Sequence, residues 1–391
     1  MKPPKPLLIS IFDGLIIGIM TGLVCAAFLH LLAISGELFR FYPSLLYALP
    51  VCGLLTVWLY KRFGEVSSLG NHLIIDEIHE PKKDIPLIMA PLIFVTTIIS
   101  HLFGASVGRE GTAVQMGASL ASTLSKKLNV DTTRRKYYLI AGMAAGFGAA
   151  LGTPIAGIVF GMEVLHFGRF KVTALVQSIF ASLTAYAITL LCLAPHSSYP
   201  NVIIQTHWQV FFYLTIAAIL MGLFARLFVK LLHLTENKAH QLVANPYLRI
   251  IIISLILVAC FLWDGTTNYN GLGISVIQDS FLVNSPWFVP FKKMIFTVLS
   301  LGAGFKGGEF TPLAFMGATL GSAFASHFAL SISLFAACGF SAVFGAASKT
   351  PLACAVMAAE LFGLNILPYA LIACLVSYMV SGRLSIYKFQ R

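Results

Sequence analysis

Charged residues are scarce in this sequence. Only 10% of its 391 residues are Asp, Glu, Lys or Arg, whereas 58% are hydrophobic. A soluble protein of this length would not carry so few charges, since soluble domains have about 25% charged residues. The composition therefore predicts a polytopic membrane protein. Long apolar runs in lipid form helices, so the predicted fold class is all-α.

Paired cysteine motifs are also missing. The seven cysteines are an odd number and form no CxxC pair, so neither a disulfide framework nor a Cys-based zinc site is predicted. Five of them lie in apolar runs: Cys25, Cys52, Cys192, Cys354 and Cys374. The chain also lacks a Walker P-loop and a dinucleotide-binding Gly loop, which argues against an ATP-driven pump. We expect no cofactor, no metal and no catalytic residue.

A membrane-embedded zinc hydrolase is the alternative from a different class of protein. His72, His79 and Glu80 are close in sequence, but they do not form an HExxH motif. They fall in the polar stretch from Gly64 to Asp84, which we interpret as largely loop-like. His72 and His79 are therefore predicted to be solvated residues and not zinc ligands.

Basic residues outnumber acidic ones by 26 to 15, which gives a net charge of +11. No basic stripe alternates with aromatic residues, so nucleic acid is not an expected partner. The segment Lys126–Lys136 is strongly basic and contains one acid, Asp131. The positive-inside rule places this segment in the cytoplasm, and Lys2 and Lys5 place the N-terminus there as well.

Apolar segments follow one another along the whole chain. They cover about 7–35, 44–60, 86–103, 172–193, 207–234, 248–263, 291–304, 313–330, 332–347, 352–364 and 366–381. Others, at about 113–125 and 154–167, are too short to cross about 30 Å of hydrocarbon at about 1.5 Å per residue. Short helices that are interrupted by Gly and Pro are typical of transporters with a site near the middle of the membrane.

An ionisable pair lies between two apolar runs, within the stretch Gly104–Thr112. Arg109 and Glu110 are flanked there by Gly108 and Gly111. A buried carboxylate at membrane depth is costly and usually functional. A helix that begins at Gly111 or Thr112 would direct its positive end at this site, which suits an anion. A simpler alternative is a Glu–Arg pair that only links two helices.

The two halves of the chain resemble each other. At an offset of 200 residues Met116–Leu120 matches Met316–Leu320, and Gly108–Thr112 lies opposite Gly308–Pro312. Three further matches keep the same order: the Gly70 stretch with Asn270–Ile274, Gly146–Ala156 with Gly339–Ala353, and Met162–Leu165 with Ala359–Phe362. A repeat with broken helices in equivalent positions indicates one shared site between the halves.

Gly-rich helix starts are predicted near Asn71, Glu110, Phe310 and the C-terminal tail. Converging helix N-termini offer backbone N–H groups and partial positive charge to a dehydrated anion. Such a site needs no buried lysine, which would bind too tightly for fast release. The sequence therefore predicts an anion pathway.

These residues resemble the CLC family of chloride channels and proton-coupled antiporters over essentially the whole chain. The resemblance rests on four stretches: Gly108–Thr112 (family motif GREGP, whose Glu is the external gate), Gly307–Pro312 (GGxFxP), Gly70–Ile74 (GSGIP) and Gly382–Tyr387, which carries the pore tyrosine. It implies two inverted-topology repeats of tilted, broken and re-entrant helices, at about 40–190 and 207–391. It also implies one membrane domain over 1–391, no cytoplasmic regulatory domain, and a homodimer with one pathway per subunit.

The departures from the motifs resemble the fluoride-exporting branch of the family. Thr112 replaces the usual Pro, Asn71 replaces the Ser that contacts chloride, and Glu309 fills the variable position of GGxFxP. The resemblance implies fluoride/proton antiport in the plasma membrane, which is the inner membrane in bacteria. It assigns gating and proton transfer to Glu110 and Glu309, and anion binding to Asn71, Gly108, Arg109, Gly111, Phe310, Thr311 and Tyr387.

One departure bears on coupling. The family's paired glutamates become Glu163 and Val164 here, so the second, which takes the internal proton in chloride antiporters, is missing. Glu309 is our hypothesis for another route. Glu163 and Glu360 occupy equivalent repeat positions, and we interpret them as capping or interface residues. A chloride/proton antiporter or a passive chloride channel of the same fold remains the alternative function.

Overall fold

The structure, a computed structural model, describes residues 5–80, 85–165, 172–204 and 207–387. Within these ranges the chain is helical and contains no β-strand, so the prediction of an all-α fold is confirmed. Lys2, which supported a cytoplasmic N-terminus, lies outside the described residues.

The described helices form two series of eight in the same order. The first is α1 (Lys5–Phe41), α2 (Leu49–Phe63), α3 (Asn71–His79), α4 (Met89–Leu102), α5 (Glu110–Lys127), α6 (Thr132–Leu151), α7 (Pro154–Glu163) and α8 (Val172–Leu191). The second is α9 (Trp208–Leu242), α10 (Pro246–Asp264), α11 (Ile274–Asp279), α12 (Val289–Ala303), α13 (Phe310–His327), α14 (Ile332–Ser348), α15 (Pro351–Phe362) and α16 (Leu367–Val380). The repeat inferred from short motifs therefore extends to whole helices.

Long and short helices occupy matching places in the two series, except that α8 has 20 residues and α16 has 14. Five apolar stretches are long enough to span a bilayer: Leu7–Phe41, Pro43–Phe63, Thr173–Leu191, Trp208–Leu242 and Pro246–Asp264. The helices α3, α7, α11 and α15 have 9, 10, 6 and 12 residues. Since a helix needs about 20 residues to cross the hydrocarbon core, these four lie within the bundle without spanning it.

Three local predictions need correction. The stretch around His72 and His79 is not loop-like, because α3 covers both residues and both are partly buried. The polar residues at the end of α3 meet the start of α6 instead of solvent: Arg135 pairs with Glu77 at 3.4 Å, and the Lys136 ammonium donates to the His79 carbonyl at 3.2 Å. This contact directs the start of α3 towards the interior.

The other two corrections concern helix ends. α5 begins at Glu110 and has 18 residues, so it is longer than the predicted segment at about 113–125. No helix begins in the described part of the tail, where Gly382–Tyr387 is irregular and residues 388–391 are outside the described ranges. The tail is held instead by a hydrogen bond from the Ile386 N–H to the Ala347 carbonyl at 3.0 Å.

Glycine pairs bring equivalent helices of the two series together. α5 packs on α6 where Gly117 faces Gly142, and α13 packs on α14 where Gly317 faces Gly339. In each pair, a Cβ added to one glycine would collide with the backbone carbonyl of the other. Small residues allow such close backbone approach between membrane helices. The same device therefore fixes both helices that carry the central motifs.

We propose that the first repeat also includes α1, so that its limit lies before the predicted residue 40. α1 packs on α8 as α9 packs on α16, and α1 and α9 have 37 and 35 residues. The two series meet through α7 and α15, through α2 and α10, and through the starts of α5 and α13.

A methyl group at either glycine pair tests this packing. Gly117→Ala and Gly339→Ala should each lower the free energy of unfolding by at least about 1–3 kcal/mol, because the added Cβ meets backbone that cannot move aside. The measurement is the temperature at which detergent-solubilised protein loses its monodisperse peak in size-exclusion chromatography. Gly36→Ala on α1 is the control, since its Cβ would have no neighbour within 4 Å and should not lower that temperature.

Candidate ion pathway

Two equivalent glycines form the centre of the site. The Gly108 N–H donates to the Gly308 carbonyl at 2.6 Å, and the Gly308 N–H donates to the Gly108 carbonyl at 2.8 Å, as an isolated antiparallel bridge. The two residues are 200 positions apart, which is the offset between the repeats. A two-fold axis between inverted repeats produces this reciprocal contact. The starts of α5 and α13 therefore meet at one point inside the protein.

No side chain fits at this bridge. A Cβ on Gly108 would lie 2.7 Å from the Gly308 carbonyl oxygen, and a Cβ on Gly308 would lie 2.6 Å from the Gly111 nitrogen. The predicted role of these glycines as points of close backbone approach is therefore met by the geometry. The backbone N–H groups in the first turn of each helix, which have no intrahelical partner, are brought to the same depth.

The Glu110 carboxylate lies at the crossing of the two helix starts. Its side chain is 2% exposed. The Thr311 hydroxyl, from the first turn of α13, lies 2.8 and 2.7 Å from its two oxygens and donates to the carboxylate. The Arg109 N–H donates to Oε2 at 3.2 Å. Glu110 is thus held by the opposite repeat as well as by its own helix start.

The Arg109 side chain lies beside the Glu110 carboxylate without forming a tight ion pair. Its Nε lies 3.4 Å from Glu110 Oε1, whereas its Nη2 donates to the Ser197 hydroxyl at 3.1 Å. The interpretation of Arg109 and Glu110 as a simple link between two helices does not describe this site, because the hydroxyl of Thr311 makes the shorter contacts with the carboxylate.

Two cavities approach this crossing from different sides. The first, which we call the α3 vestibule, has a volume of about 140 Å³ and is lined by Asn71, Gln115, Lys306, Glu309 and Tyr387 among others. The second, the α11 vestibule, has a volume of about 440 Å³ and is lined by Arg40, His101, Arg109, Asn270 and Gly273 among others. Each vestibule contains the start of one short helix, α3 or α11.

The vestibules are related by the repeat but carry different charges. Arg109 lines the α11 vestibule, and its equivalent at the offset of 200, Glu309, lines the α3 vestibule. Both residues stand immediately before a helix start, at α5 and α13. The two approaches to Glu110 are therefore unlike in sign at equivalent positions, although the backbone is alike.

Asn71 and Glu309 both reach the start of α5. A Cβ on Gly111 would lie 3.3 Å from Asn71 Nδ2 and 3.6 Å from Glu309 Oε2. Asn71 is 9% exposed. These two predicted site residues and Gly111 are thus brought together next to Glu110.

Tyr387 and Phe310 have different surroundings. Tyr387 lines the α3 vestibule and is 5% exposed. Phe310 is buried among aromatic rings, with centroids of Phe344, Phe340 and Phe147 at 4.6, 5.8 and 5.9 Å. Phe310 is not among the residues that line either vestibule in the described chain, so an anion-binding role for it stays a prediction.

Glu163 and Glu360 cap each other's helix. The Glu163 carboxylate accepts from the N–H groups of Leu352 and Ala353 at 3.0 and 2.7 Å, at the start of α15. The Glu360 carboxylate accepts from Ile155 and Ala156 at 2.9 and 2.7 Å, at the start of α7. The capping interpretation is confirmed. Val164 beside them is fully buried in the hydrophobic core.

Sequence reasoning missed several residues of the vestibules. Gln115 follows Gly111 by four positions, so it shares a face of α5 with the site, and this spacing could have identified it. Lys306 directly precedes the Gly307–Pro312 motif. His101 and Glu236 carry no local signal, because they lie within apolar helices and reach the cavities only through the packing of α4 and α9.

The arrangement suits an anion that competes with a carboxylate. A buried carboxylate at the meeting point of two helix starts occupies a place where positive backbone dipoles would also hold a small anion. When Glu110 is protonated, its negative charge no longer excludes that anion. The geometry can therefore link binding of an anion to binding of a proton.

A family model described as "Voltage gated chloride channel" matches residues 52–382. The chain belongs to this family of CLC proteins. A "Chloride/fluoride channel protein" from Pseudomonas syringae pv. tomato is 42% identical over 386 residues, which cover 96% of this chain and 85% of the relative. A voltage-gated ClC-type chloride channel from Escherichia coli is 28% identical over 320 residues, covering 77% and 73%.

CLC proteins of known structure superpose on the whole chain. A crystal structure of a CLC-type fluoride/proton antiporter has a TM-score of 0.93 and 34% identity, and 98% of each chain is covered. A slow cyanobacterial chloride/proton antiporter has a TM-score of 0.85 at 20% identity, which shows the shared fold alone. The predicted CLC fold is therefore confirmed, and the protein is a membrane-embedded anion transport protein.

Removal of the Glu163 or the Glu360 carboxylate should weaken the contact between α7 and α15, which joins the two repeats of this CLC protein. Glu163→Ala and Glu360→Ala should each lower the thermal midpoint, because in each variant two N–H groups at a helix start lose their acceptor; Glu163→Ala should have the larger effect, since Ile155, which Glu360 caps, is exposed. Thermal stability of purified protein in detergent measures the effect. Glu65→Ala is the control and should leave the midpoint unchanged, because Glu65 is exposed and lies outside α7 and α15. Equal midpoints for all three variants would contradict the capping role.

Proposed function

We propose that the protein exports fluoride in exchange for protons, with Glu110 as the group that binds anion and proton in turn. The observation that carries this proposal is the position of the Glu110 carboxylate at the crossing of the two helix starts, where Thr311 holds it and where Arg109 and Glu309 line one vestibule each. A similar protein is named a chloride/fluoride channel protein and a similar structure is a fluoride/proton antiporter, which supports the choice of fluoride.

The exchange follows from competition for one place. Deprotonated Glu110 fills the crossing and excludes the halide by charge repulsion. A proton neutralises the carboxylate, so that fluoride can take its place among the backbone N–H groups. Release of the proton on the other side restores the charge. Anion and proton are therefore driven in opposite directions.

Fluoride needs close donors, since it is small and strongly hydrated. The amide of Asn71 and the hydroxyls of Thr311 and Tyr387 supply such donors near the crossing. Asn71 stands 3.3 Å from the Cβ position of Gly111, beside the gating residue. A looser set of dipoles would suit chloride, which is larger and holds its water less strongly.

Protons need a route that avoids position 164. Val164 is buried in the core and has no ionisable group. Glu309 lines the α3 vestibule and lies 3.6 Å from the Cβ position of Gly111. We propose that Glu309 passes the proton between this vestibule and Glu110, with one carboxylate contributed by each repeat.

We propose a cytoplasmic N-terminus, a location in the bacterial inner membrane, and a homodimer with one pathway per subunit. The basic segment Lys126–Lys136 would then face the cytoplasm. α3 docks on this segment through Arg135 and Lys136, so the α3 vestibule would open to the same side.

The first test is ion efflux from liposomes that contain purified protein and are loaded with fluoride or chloride. Fluoride release should be fast, with protons moving in the opposite direction, and chloride release should be slow. An ion electrode and a pH electrode follow the two fluxes. Chloride release that equals or exceeds fluoride release with proton movement would indicate a chloride/proton antiporter, and chloride release without proton movement a passive channel.

Glu110→Gln tests the gating role in the same assay. The neutral amide cannot release and rebind a proton, so proton coupling should be lost and exchange should stop. Glu65→Gln, at an exposed position whose side chain lines neither vestibule, should behave as the unaltered protein. Unchanged pH-coupled transport by Glu110→Gln would rule out the proposed mechanism.

A further inference from the structure

The helix α12 carries a polar face that is fully buried. Lys293, Thr297 and Ser300 follow one another at intervals of four and three residues, so their side chains lie on the same side of the helix. All three are 0% exposed. Buried polar groups are normally hydrogen-bonded, so the partners of these side chains show what the face holds in place.

Two of these side chains hold the segment that leads to Glu110. The Ser106 N–H donates to the Ser300 hydroxyl at 3.1 Å, and the Ser106 and Thr297 hydroxyls are 3.0 Å apart. Ser106 lies two residues before the bridge at Gly108 and four before Glu110. The start of α5 in the first repeat is therefore fastened to a helix of the second repeat.

Lys293 reaches the same segment through a turn of the chain before α11. Its ammonium donates to the Tyr269 and Gly271 carbonyls at 3.0 and 2.8 Å. The residue between them, Asn270, donates through Nδ2 to the Gly104 carbonyl at 2.9 Å. Lys293 thus holds both sides of the residue that holds Gly104, which is two residues before Ser106.

The equivalent helix of the first repeat shows that the fold does not need a lysine at this place. At the offset of 200 residues, α4 carries threonine and serine at the matching positions, whereas Ile93 stands in the place of Lys293. Ile93 is 2% exposed and packs in a hydrophobic cluster. Since burial of an amino group costs more than burial of an alkyl chain, the lysine has a role that packing alone does not explain.

The turn that Lys293 holds forms part of the wall of the α11 vestibule. Asn270 and Gly271 line this vestibule together with Arg109 and His101, and the His101 Nδ1 lies 3.3 Å from the Cβ position of Gly271. Lys293 itself is not among the residues that line either vestibule in the described chain. It therefore acts on the pathway through the turn and not by contact with an ion.

We propose that Lys293 is a positioning residue of the transport reaction. By holding the turn around Asn270, it fixes Gly104 and keeps the Glu110 carboxylate at the crossing, where Thr311 donates to it. Without the donors of Lys293 the turn moves away from Gly104, Glu110 leaves the crossing, and fluoride passes without a proton in exchange. This inference rests on the proposed function for the exchange of fluoride with protons.

The experiment compares Lys293→Met and Asn270→Leu with the control Lys292→Met. Met keeps the length of the lysine side chain and removes its donors, whereas Leu keeps the volume of Asn270 and removes its amide. Lys292 precedes Lys293 on the same helix, pairs with Asp264 at 2.7 Å and lies 5.7 Å from the Tyr269 ring. In the described structure it thus contacts a side chain of the turn and not the backbone. All variants are first checked for a monodisperse peak in size-exclusion chromatography.

The first readout is hydrogen–deuterium exchange of the purified proteins in detergent. In Lys293→Met and Asn270→Leu the backbone amides of residues 105–108 should exchange about tenfold faster, because the loss of a hydrogen bond shifts the local opening equilibrium by about that factor. Exchange in α6 should not change. Lys292→Met should leave residues 105–108 within about twofold of the unaltered protein.

The second readout is the number of protons that move per fluoride in the liposome assay. This number should fall by about half or more in Lys293→Met and in Asn270→Leu, because Glu110 then spends less time at the crossing. Lys292→Met should keep the value of the unaltered protein. The double variant Lys293→Met/Asn270→Leu should fall no further than the more affected single variant, since both residues act through one turn.

The outcomes separate the positioning role from the function. If the unaltered protein exchanges fluoride for protons and both variants keep its coupling and its exchange rates, the role of Lys293 is wrong and the proposed function stands. If the unaltered protein moves no protons against fluoride, the proposed function is wrong, and with it the role of Lys293 in coupling.

Two further results would overturn the role of Lys293. One is general destabilisation, in which exchange rises equally in α6 or Lys292→Met loses coupling as far as Lys293→Met. The other is a double variant whose loss of coupling is the sum of the two single losses, because the two residues would then act separately. If Lys293→Met gives no monodisperse peak, Asn270→Leu decides by the same two readouts.

Discussion

Two backbone hydrogen bonds between Gly108 and Gly308 are the contact on which the rest of the structure depends. They join two segments 200 residues apart and place the starts of α5 and α13 at one depth. Backbone groups that are buried in a membrane protein must find partners, and here each glycine is the partner of the other. A side chain at either position would push the two backbone segments apart. The site therefore depends on the absence of a side chain at Gly108 and Gly308.

The helices around this contact pack in the same way in both repeats. The Gly117–Gly142 and Gly317–Gly339 pairs let α6 and α14 approach the two central helices, and each vestibule contains the start of α3 or α11. Symmetry of the backbone is combined with asymmetry of charge, as the positions of Arg109 and Glu309 show. The two vestibules therefore present side chains of opposite charge at equivalent positions to ions that enter them.

Much of this could be predicted from the sequence, and the reasons for the failures are physical. The offset of 200 residues between the repeats paired Gly108 with Gly308. The match between the two halves also put Glu163 and Glu360 in equivalent positions, where both were interpreted as capping residues. The interpretation of His72 and His79 as solvated loop residues was wrong because α3 covers both: the His79 carbonyl accepts from Lys136, which is distant in sequence, and His72 lines the α3 vestibule. Gln115 was overlooked because a single glutamine in a run of small residues gives no sign of a binding site in the sequence. Its position in the α3 vestibule depends on the packing of α3 against α5. Local patterns report periodicity and propensity, whereas contacts between elements depend on how the helices pack.

The reciprocal caps of α7 and α15 have a consequence for how the protein is made. The start of α7 is completed by Glu360, which the ribosome adds about two hundred residues after Ile155, and the start of α15 is completed by Glu163. The first half of a nascent chain thus enters the membrane with two backbone N–H groups of α7 still awaiting their acceptor. The start of α7 therefore gains its cap only after residue 360 has been synthesised, so the final structure of the first half depends on the second half.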